Sequence, residues 1–250
     1  MKTLPIALLG LACLASGPAR EPRMVRMDDM LVPASVLREY AAHPFDSAIR
    51  LDVDLWEDGV LPLGFDADFT PTQRKQVMDA CAEWSKVARV RCVDASYKGR
   101  RIRVMKTFDA CWSLLGMGVN FGVLSHKMNL ADGCFSKATL MHELGHALGL
   151  IHEHQRPDRD AYVTIHGENV AGNILNMQVQ VNFDRQASKQ LTPYDFLSIM
   201  HYDRRAFSKN GRDTIVPKPE FTQYIDVMGR VKQLSPLDAA LISAAYGPPN

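Results

Sequence analysis

The spacing of apolar residues changes along the chain, and each change marks an expected element. Leu4 to Ala15 is an apolar run behind Met1-Lys2 that is short for a membrane span, and the small residues Ala15, Ser16, Gly17 and Ala19 close it. That layout predicts a secretory signal peptide over residues 1–19. Residues 20–46 are polar, hold no sustained period and read as a leader or short pro-segment. Val60-Leu61-Pro62-Leu63, after the turn-like Glu57-Asp58-Gly59, predicts a strand. Thr70-Pro71-Thr72-Gln73 offers an N-cap, a proline at the first helical position and a capping-box partner. Val77, Cys81, Trp84 and Ala88 follow at helical spacing, so this helix lays one face on a core. Ile102 and Val104 alternate with Arg101 and Arg103 as in a half-buried strand, and Val119 to Leu130 supplies more strand, broken at Gly122. A second helix is expected from Ser136 to Leu148, with Leu140, Leu144 and Leu148 on one side and Gly149 as its stop. A third begins at Ser235-Pro236-Leu237-Asp238 and ends near Tyr246-Gly247. Between Pro157 and Leu234 strong periods are few and turn residues many.

Composition narrows the function classes. At 250 residues, 46% apolar and 23% charged, the chain fits one sizeable soluble domain, read here as residues 47–250. A formal net charge of +1 supplies no field that would draw nucleic acid or an anionic membrane, so neither is an expected partner, and the chain is expected to be a monomer. No later stretch is long and apolar enough to be a membrane span. Export permits disulfides. Cys13 either leaves with the signal peptide or, since Gly10-Leu11-Ala12-Cys13 loosely resembles a bacterial lipoprotein box, carries lipid as the minority reading. Cys81, Cys92, Cys111 and Cys134 are left, with three possible pairings and no C-x-x-C pair to suggest a cysteine zinc site.

The chemistry is concentrated in one segment. His142-Glu143-Leu144-Gly145-His146 is H-E-x-x-H, and on a helix the two histidines stand one turn apart on one face. At about 100° per residue that face lies roughly opposite the leucine face, so the helix can bury its leucines and present its histidines to a cleft. Glu143 is beside the ion without having to bind it. The segment continues Ala147-Leu148-Gly149-Leu150-Ile151-His152. A straight helix cannot return its residue i+10 to the same ion, but Gly149 allows a sharp turn closed to other residues. His152 can then serve as a third ligand. Three histidines leave one zinc position open, which is the catalytic pattern and not the closed structural one.

With these residues the chain resembles the metzincins, and among them the astacin family of zinc metalloendopeptidases. The signature H-E-x-x-H-x-x-G-x-x-H-E-x-x-R-x-D-R-D is matched in full by His142 to Asp160, and Ser198-Ile199-Met200-His201-Tyr202 resembles the family's Met-turn. Leu55-Trp56, Gly59-Val60, Pro62, Cys111-Trp112-Ser113 and Gly133-Cys134 resemble further family segments. The resemblance implies an α+β, zincin-like fold in two lobes: an N-terminal twisted mixed sheet with two long helices up to about residue 149, an active-site cleft, and an irregular C-terminal lobe with a terminal helix over 150–250. It implies a secreted endopeptidase holding one Zn2+ per chain on His142, His146 and His152, with a zinc-bound water activated by Glu143. Tyr202 would stabilise the oxyanion and serve as a fifth ligand; Met200 would floor the histidines. Glu153 would anchor the N-terminus of the mature enzyme through water, and Cys111 and Cys134 would form a disulfide. An extended protein or peptide substrate would pair with a sheet edge, for which Val123 to Met128 is the expected strand.

The resemblance has two departures. The family's second disulfide ends near the C-terminus, where Tyr246 to Asn250 has no cysteine, so Cys81 and Cys92 either pair with each other or stay as buried thiols. The family's zymogen is held latent by a zinc-bound aspartate in an F-x-G-D motif; none precedes Leu51, leaving Asp28, Asp29 and Asp46 as candidates. Histidines outside the motif, His126, His154 and His166, are expected to be surface or hydrogen-bonded residues, and Arg100-Arg101 and Arg204-Arg205 solvated charge. Two rival functions are a catalytically silent zinc module that holds an extended polypeptide and a zinc hydrolase of a non-peptide amide. Retention of Glu143 argues against the first and the full signature against the second.

Overall fold

A computed structural model of the chain describes residues 24–27, 29–33, 54–95, 101–107, 109–117, 126–171, 181–186, 188 and 191–250. The expected signal peptide, Cys13, Asp28, Asp46 and residues 119–125 of the expected strand lie outside them.

The fold is α+β. Nine described strands are β1 (Met24–Met27), β2 (Met30–Pro33), β3 (Val60–Phe65), β4 (Arg91–Asp94), β5 (Ile102–Met105), β6 (Cys111–Leu114), β7 (His126–Leu130), β8 (Val163–Ile165) and β9 (Ile215–Pro217). The first seven form a mixed sheet in the order β1-β2-β6-β7-β5-β3-β4. Strands β4, β3, β5 and β7 run parallel to one another; β6 is antiparallel to β7, and β2 is parallel to β6. The remaining two, β8 and β9, pair antiparallel.

Two helices cover the sheet. α1 (Pro71–Ser85) starts where its capping box predicts: Gln73 N–H donates to Thr70 Oγ1, and the Gln73 side chain accepts from Thr70 N. It stops three residues before Ala88, which is buried beyond the helix end instead of on its face. α2 (Lys137–Ala147) is capped by Ser136 and carries the histidine motif. Its leucines, as expected, are buried with Trp84, Leu61, Leu63, Ile102, Val104 and Met128 in the main core between sheet and helices. Each such side chain adds roughly 1.5–3 kcal/mol of apolar burial, so this core sets how rigidly α2 is held.

The C-terminal end of α2 is pinned by groups from both ends of the catalytic region. A helix end leaves its last carbonyls without intrahelical partners. Here Trp56 Nε1 donates to Ala147 O at 2.8 Å, and the Tyr246 hydroxyl donates to Leu148 O at 2.9 Å. Tyr246 is the last residue of α3 (Pro236–Tyr246), which opens with the expected cap, a reciprocal box between Ser235 and Asp238.

Both cysteine pairs form disulfides, Cys81–Cys92 and Cys111–Cys134. The first ties α1 to β4; the second ties β6 to the turn that leads into α2. The leader segment departs from expectation: Met24–Met27 and Met30–Pro33 form a hairpin on the sheet. Strands of four residues are too short to show a period, so the reading of this stretch as featureless polar chain is corrected.

Candidate active site

The histidine motif emerges from α2 as its spacing predicts. His142 and His146 face the same side of the helix, and the chain then turns at Gly149, whose φ of +103° is a conformation that strains residues with a side chain. Leu148 N–H and Leu150 N–H still donate back to Leu144 O and Gly145 O, so the turn is closed before His152 comes round. The three Nε2 atoms meet: His142 lies 3.1 Å from His146 and 3.3 Å from His152.

That meeting identifies the group the site is built for. Each Nδ1 faces an acceptor: Ile199 O at 2.7 Å for His142, Leu150 O at 2.7 Å for His146 and Gln155 Oε1 at 3.0 Å for His152. A carbonyl oxygen cannot donate, so each Nδ1 carries the proton and each Nε2 presents a lone pair. Three lone pairs converging at this distance repel unless a cation lies between them. Tetrahedral zinc with bonds of 2.0–2.1 Å needs donor atoms about 3.3 Å apart, which the imidazoles satisfy. Burial pushes the His146 imidazole down to about 4, against the nearby Asp29 carboxylate, which keeps it in the neutral, metal-binding form.

A fourth acceptor completes the cluster. Asp29, in the turn between β1 and β2, places Oδ2 3.0 Å from His142 Nε2 and Oδ1 3.1 Å from His152 Nε2 and 3.5 Å from His146 Nε2. A carboxylate oxygen facing three nitrogen lone pairs has, like them, no proton to share, so it too calls for a cation at the centre of the cluster. Among the described residues, Asp29, His142, His146 and His152 form a group whose ligand atoms lie close enough together to share one ion. From sequence Asp29 was one of three aspartates of equal standing; its selection needs the hairpin.

The cleft above the histidines has a volume of about 480 Å³, and Glu143 and Tyr202 both line it. Glu143 is 1% exposed. The Tyr202 ring lies 4.3 Å from the His152 ring and 4.0 Å from the His154 ring, centre to centre. The charged residues lining the cleft among those described are acids: Asp29, Asp109, Glu143 and Asp203. Arg204 and Arg205 are not in it, being paired with Asp213 and, for Arg204, also with Asp226.

Met200 lies beneath α2. Its carbonyl accepts from Glu153 N–H at 3.1 Å, and its sulfur approaches the helix where Gly145 has no side chain. A Cβ at 145 would stand 2.6 Å from Met200 Sδ and 3.3 Å from the Trp84 ring. Gly145→Ala is therefore expected to cost about 1–3 kcal/mol through overpacking. Thermal unfolding would show this as a Tm several degrees lower; an unchanged Tm would mean that Met200 turns aside freely. Glu153 is buried against Arg156 Nη1 at 2.8 Å and accepts from Asp195 N–H at 2.8 Å. Burial pushes its carboxyl up to about 7 despite Arg156 beside it.

One expectation is corrected. Residues 123–125 lie outside the described segments, and His126–Met128 belong to β7, an interior strand of the sheet: all three pair with β5, and Met128 also faces Ser113 of β6. Without the leader the edge on this side is β6, which β2 occupies. Period alone cannot tell an edge strand from an interior one. His126 and His154 take the second of the two expected forms: both are buried and hydrogen-bonded, His126 through Leu114 O and His154 through Asn182 O. His166 fits the expected pattern, paired with Glu168 near the surface.

Comparison with known proteins agrees with this geometry. Residues 49–247 match the family described as Astacin (Peptidase family M12A). The chain is 31% identical over 238 residues to zinc metalloproteinase nas-14 of Caenorhabditis elegans, covering 90% of this chain and 43% of that protein. It is 33% identical over 192 residues to nas-6 of the same organism, covering 76% and 53%. It thus spans about half the length of these curated relatives. Among solved structures, High choriolytic enzyme 1, a hatching enzyme zinc-protease from Oryzias latipes, superposes with a TM-score of 0.67 at 28% identity, covering 82% of this chain and 98% of that one. A family match over residues 49–247, a sheet with the histidine helix against it, and three imidazoles poised for one ion agree on a single assignment: the chain belongs to the astacin family of zinc peptidases.

Proposed function

We propose that the chain is an exported, zinc-dependent endopeptidase in a latent form, with Asp29 as the latency residue. The observation that carries the reading is the convergence of three imidazole lone pairs beside a cleft that His142, Glu143 and Tyr202 line. Two disulfides support an oxidising compartment outside the cytosol.

His142, His146 and His152 would hold the zinc, which when bound would supply Lewis acidity to a scissile carbonyl and to water. The remaining work falls to the protein. Glu143 takes the proton from the attacking water and passes it to the departing amine. The Tyr202 hydroxyl donates to the oxygen on which charge develops, an interaction of full strength only in the transition state. The β6 backbone aligns the substrate as an added strand, so the peptide group to be cut is presented at a fixed register. The acidic cleft lining argues against a preference for acidic side chains beside the cut. In the full chain Asp29 occupies the position that water needs, and β2 occupies the β6 edge.

The test is casein cleavage by the chain trimmed to begin near Ser47, with zinc counted. About one zinc per chain, cleavage that stops on chelation and returns on zinc addition are the expected results. Zinc without cleavage, after several trimming points have been tried, would replace the peptidase reading with a silent binding module.

A further inference from the structure

The zinc ligand His142 is connected to a buried carboxylate that lies outside the motif. His142 Nδ1 donates to Ile199 O at 2.7 Å. The same peptide unit carries Met200 N–H, which donates to Ser198 Oγ at 3.0 Å. The Ser198 hydroxyl donates to Asp238 Oδ1 at 2.7 Å. Every donor in this series points the same way, from the imidazole toward the carboxylate. Hydrogen bonds aligned head to tail polarise one another, and Ser198 and Asp238 are each 3% exposed, so water does not screen them.

We infer that Asp238 is a positioning residue of the zinc site, which through Ser198 and the Ile199–Met200 peptide fixes the His142 ring and strengthens its Nε2 as a metal ligand. The inference rests on the zinc reading above. Metal-bound histidines commonly donate their second N–H to a carboxylate or carbonyl, which raises ligand basicity. Here the carbonyl and the carboxylate both occur, in series. Helix capping does not account for the arrangement. The cap of α3 uses Asp238 Oδ2, which accepts from Ser235 N at 3.0 Å and from Ile199 N at 2.9 Å. Oδ1 is left to Ser198. An asparagine could keep one oxygen on the cap only by turning its NH2 toward Ser198, which reverses the series at that link.

The test is zinc affinity of the full chain, read by competition with a chromophoric chelator, together with the NMR resonance of the His142 Nδ1 proton. Ser198→Ala and Asp238→Asn are each expected to raise the zinc Kd by about tenfold or more and to move that proton upfield. Ser235→Ala, which breaks the cap but not the series, is expected to lower Tm while leaving Kd within about twofold, the range expected of a change outside the metal's outer shell. Parent-like Kd and proton shift in either of the first two variants overturn the inference. So does a loss of affinity in Ser235→Ala equal to theirs, since stability alone would then explain it. A parent chain that takes up no zinc would instead overturn the reading beneath. Should Ser198→Ala fail to fold, Asp238→Asn against Ser235→Ala decides the matter alone.

Discussion

Glu143→Gln in the trimmed chain is expected to lower kcat by about 10²- to 10⁴-fold while one zinc stays bound. Glutamine fills the same volume and can still accept a hydrogen bond, but it cannot take a proton at neutral pH. His142, His146 and His152 keep their Nδ1 partners, none of which involves Glu143. Metal content should therefore be unchanged, and the loss should fall on the chemical step. At 1.36 kcal/mol per decade it corresponds to about 3–5 kcal/mol of transition-state stabilisation. Steady-state kinetics on a quenched fluorescent peptide would measure it. A variant with a tenth of the parent's kcat and full zinc would remove Glu143 from the role of general base.

Asp29→Ala in the full chain is expected to raise cleavage of a short peptide by about 10- to 100-fold over the untrimmed parent. Two sets of contacts hold the leader over the site. One is the carboxylate against three imidazoles. The other is a short ladder, with Met30 and Leu31 in register with Ser113 and Leu114, and Ser113 N–H donating to Asp29 O at 2.7 Å. Neutral backbone hydrogen bonds contribute about 1 kcal/mol each, whereas the carboxylate would face the cation that the imidazoles hold, a contact between opposite charges, so the carboxylate dominates per contact. Its removal frees the fourth position but leaves the ladder, hence a partial release. Initial rates on the two full chains, before any trimming is visible on a gel, would measure the effect. Equal rates would mean that the ladder, not Asp29, keeps the protein latent.

Much of this site was legible because its parts are local. The spacing of His142, His146 and His152, the glycine at 149 and the caps at Thr70, Ser136 and Ser235 each act within a turn or two of chain, and sequence records such relations directly. The rest depends on which distant segments meet. Nothing in the period of residues 119–130 could say that β7 is flanked on both sides, because alternation reports faces and not edges. Nothing in the sequence separated Asp29 from Asp28 and Asp46, because a ligand brought 113 positions along the chain to His142 leaves no spacing rule. The pairing of Cys81 with Cys92 likewise follows from α1 lying against β4, a tertiary relation.

The pairing of β2 with β6 has a consequence for the life of the protein before any substrate is met. An unpaired strand edge is a template for any extended chain, including another copy of the same protein. A peptidase that must keep one edge receptive cannot blunt it permanently with charge or proline. On the proposed latent reading, the leader hairpin would be a temporary cover, supplied by the chain itself and discarded on trimming. Protection against aggregation during folding and receptivity after trimming would then be separated in time, although both depend on the same four residues of backbone.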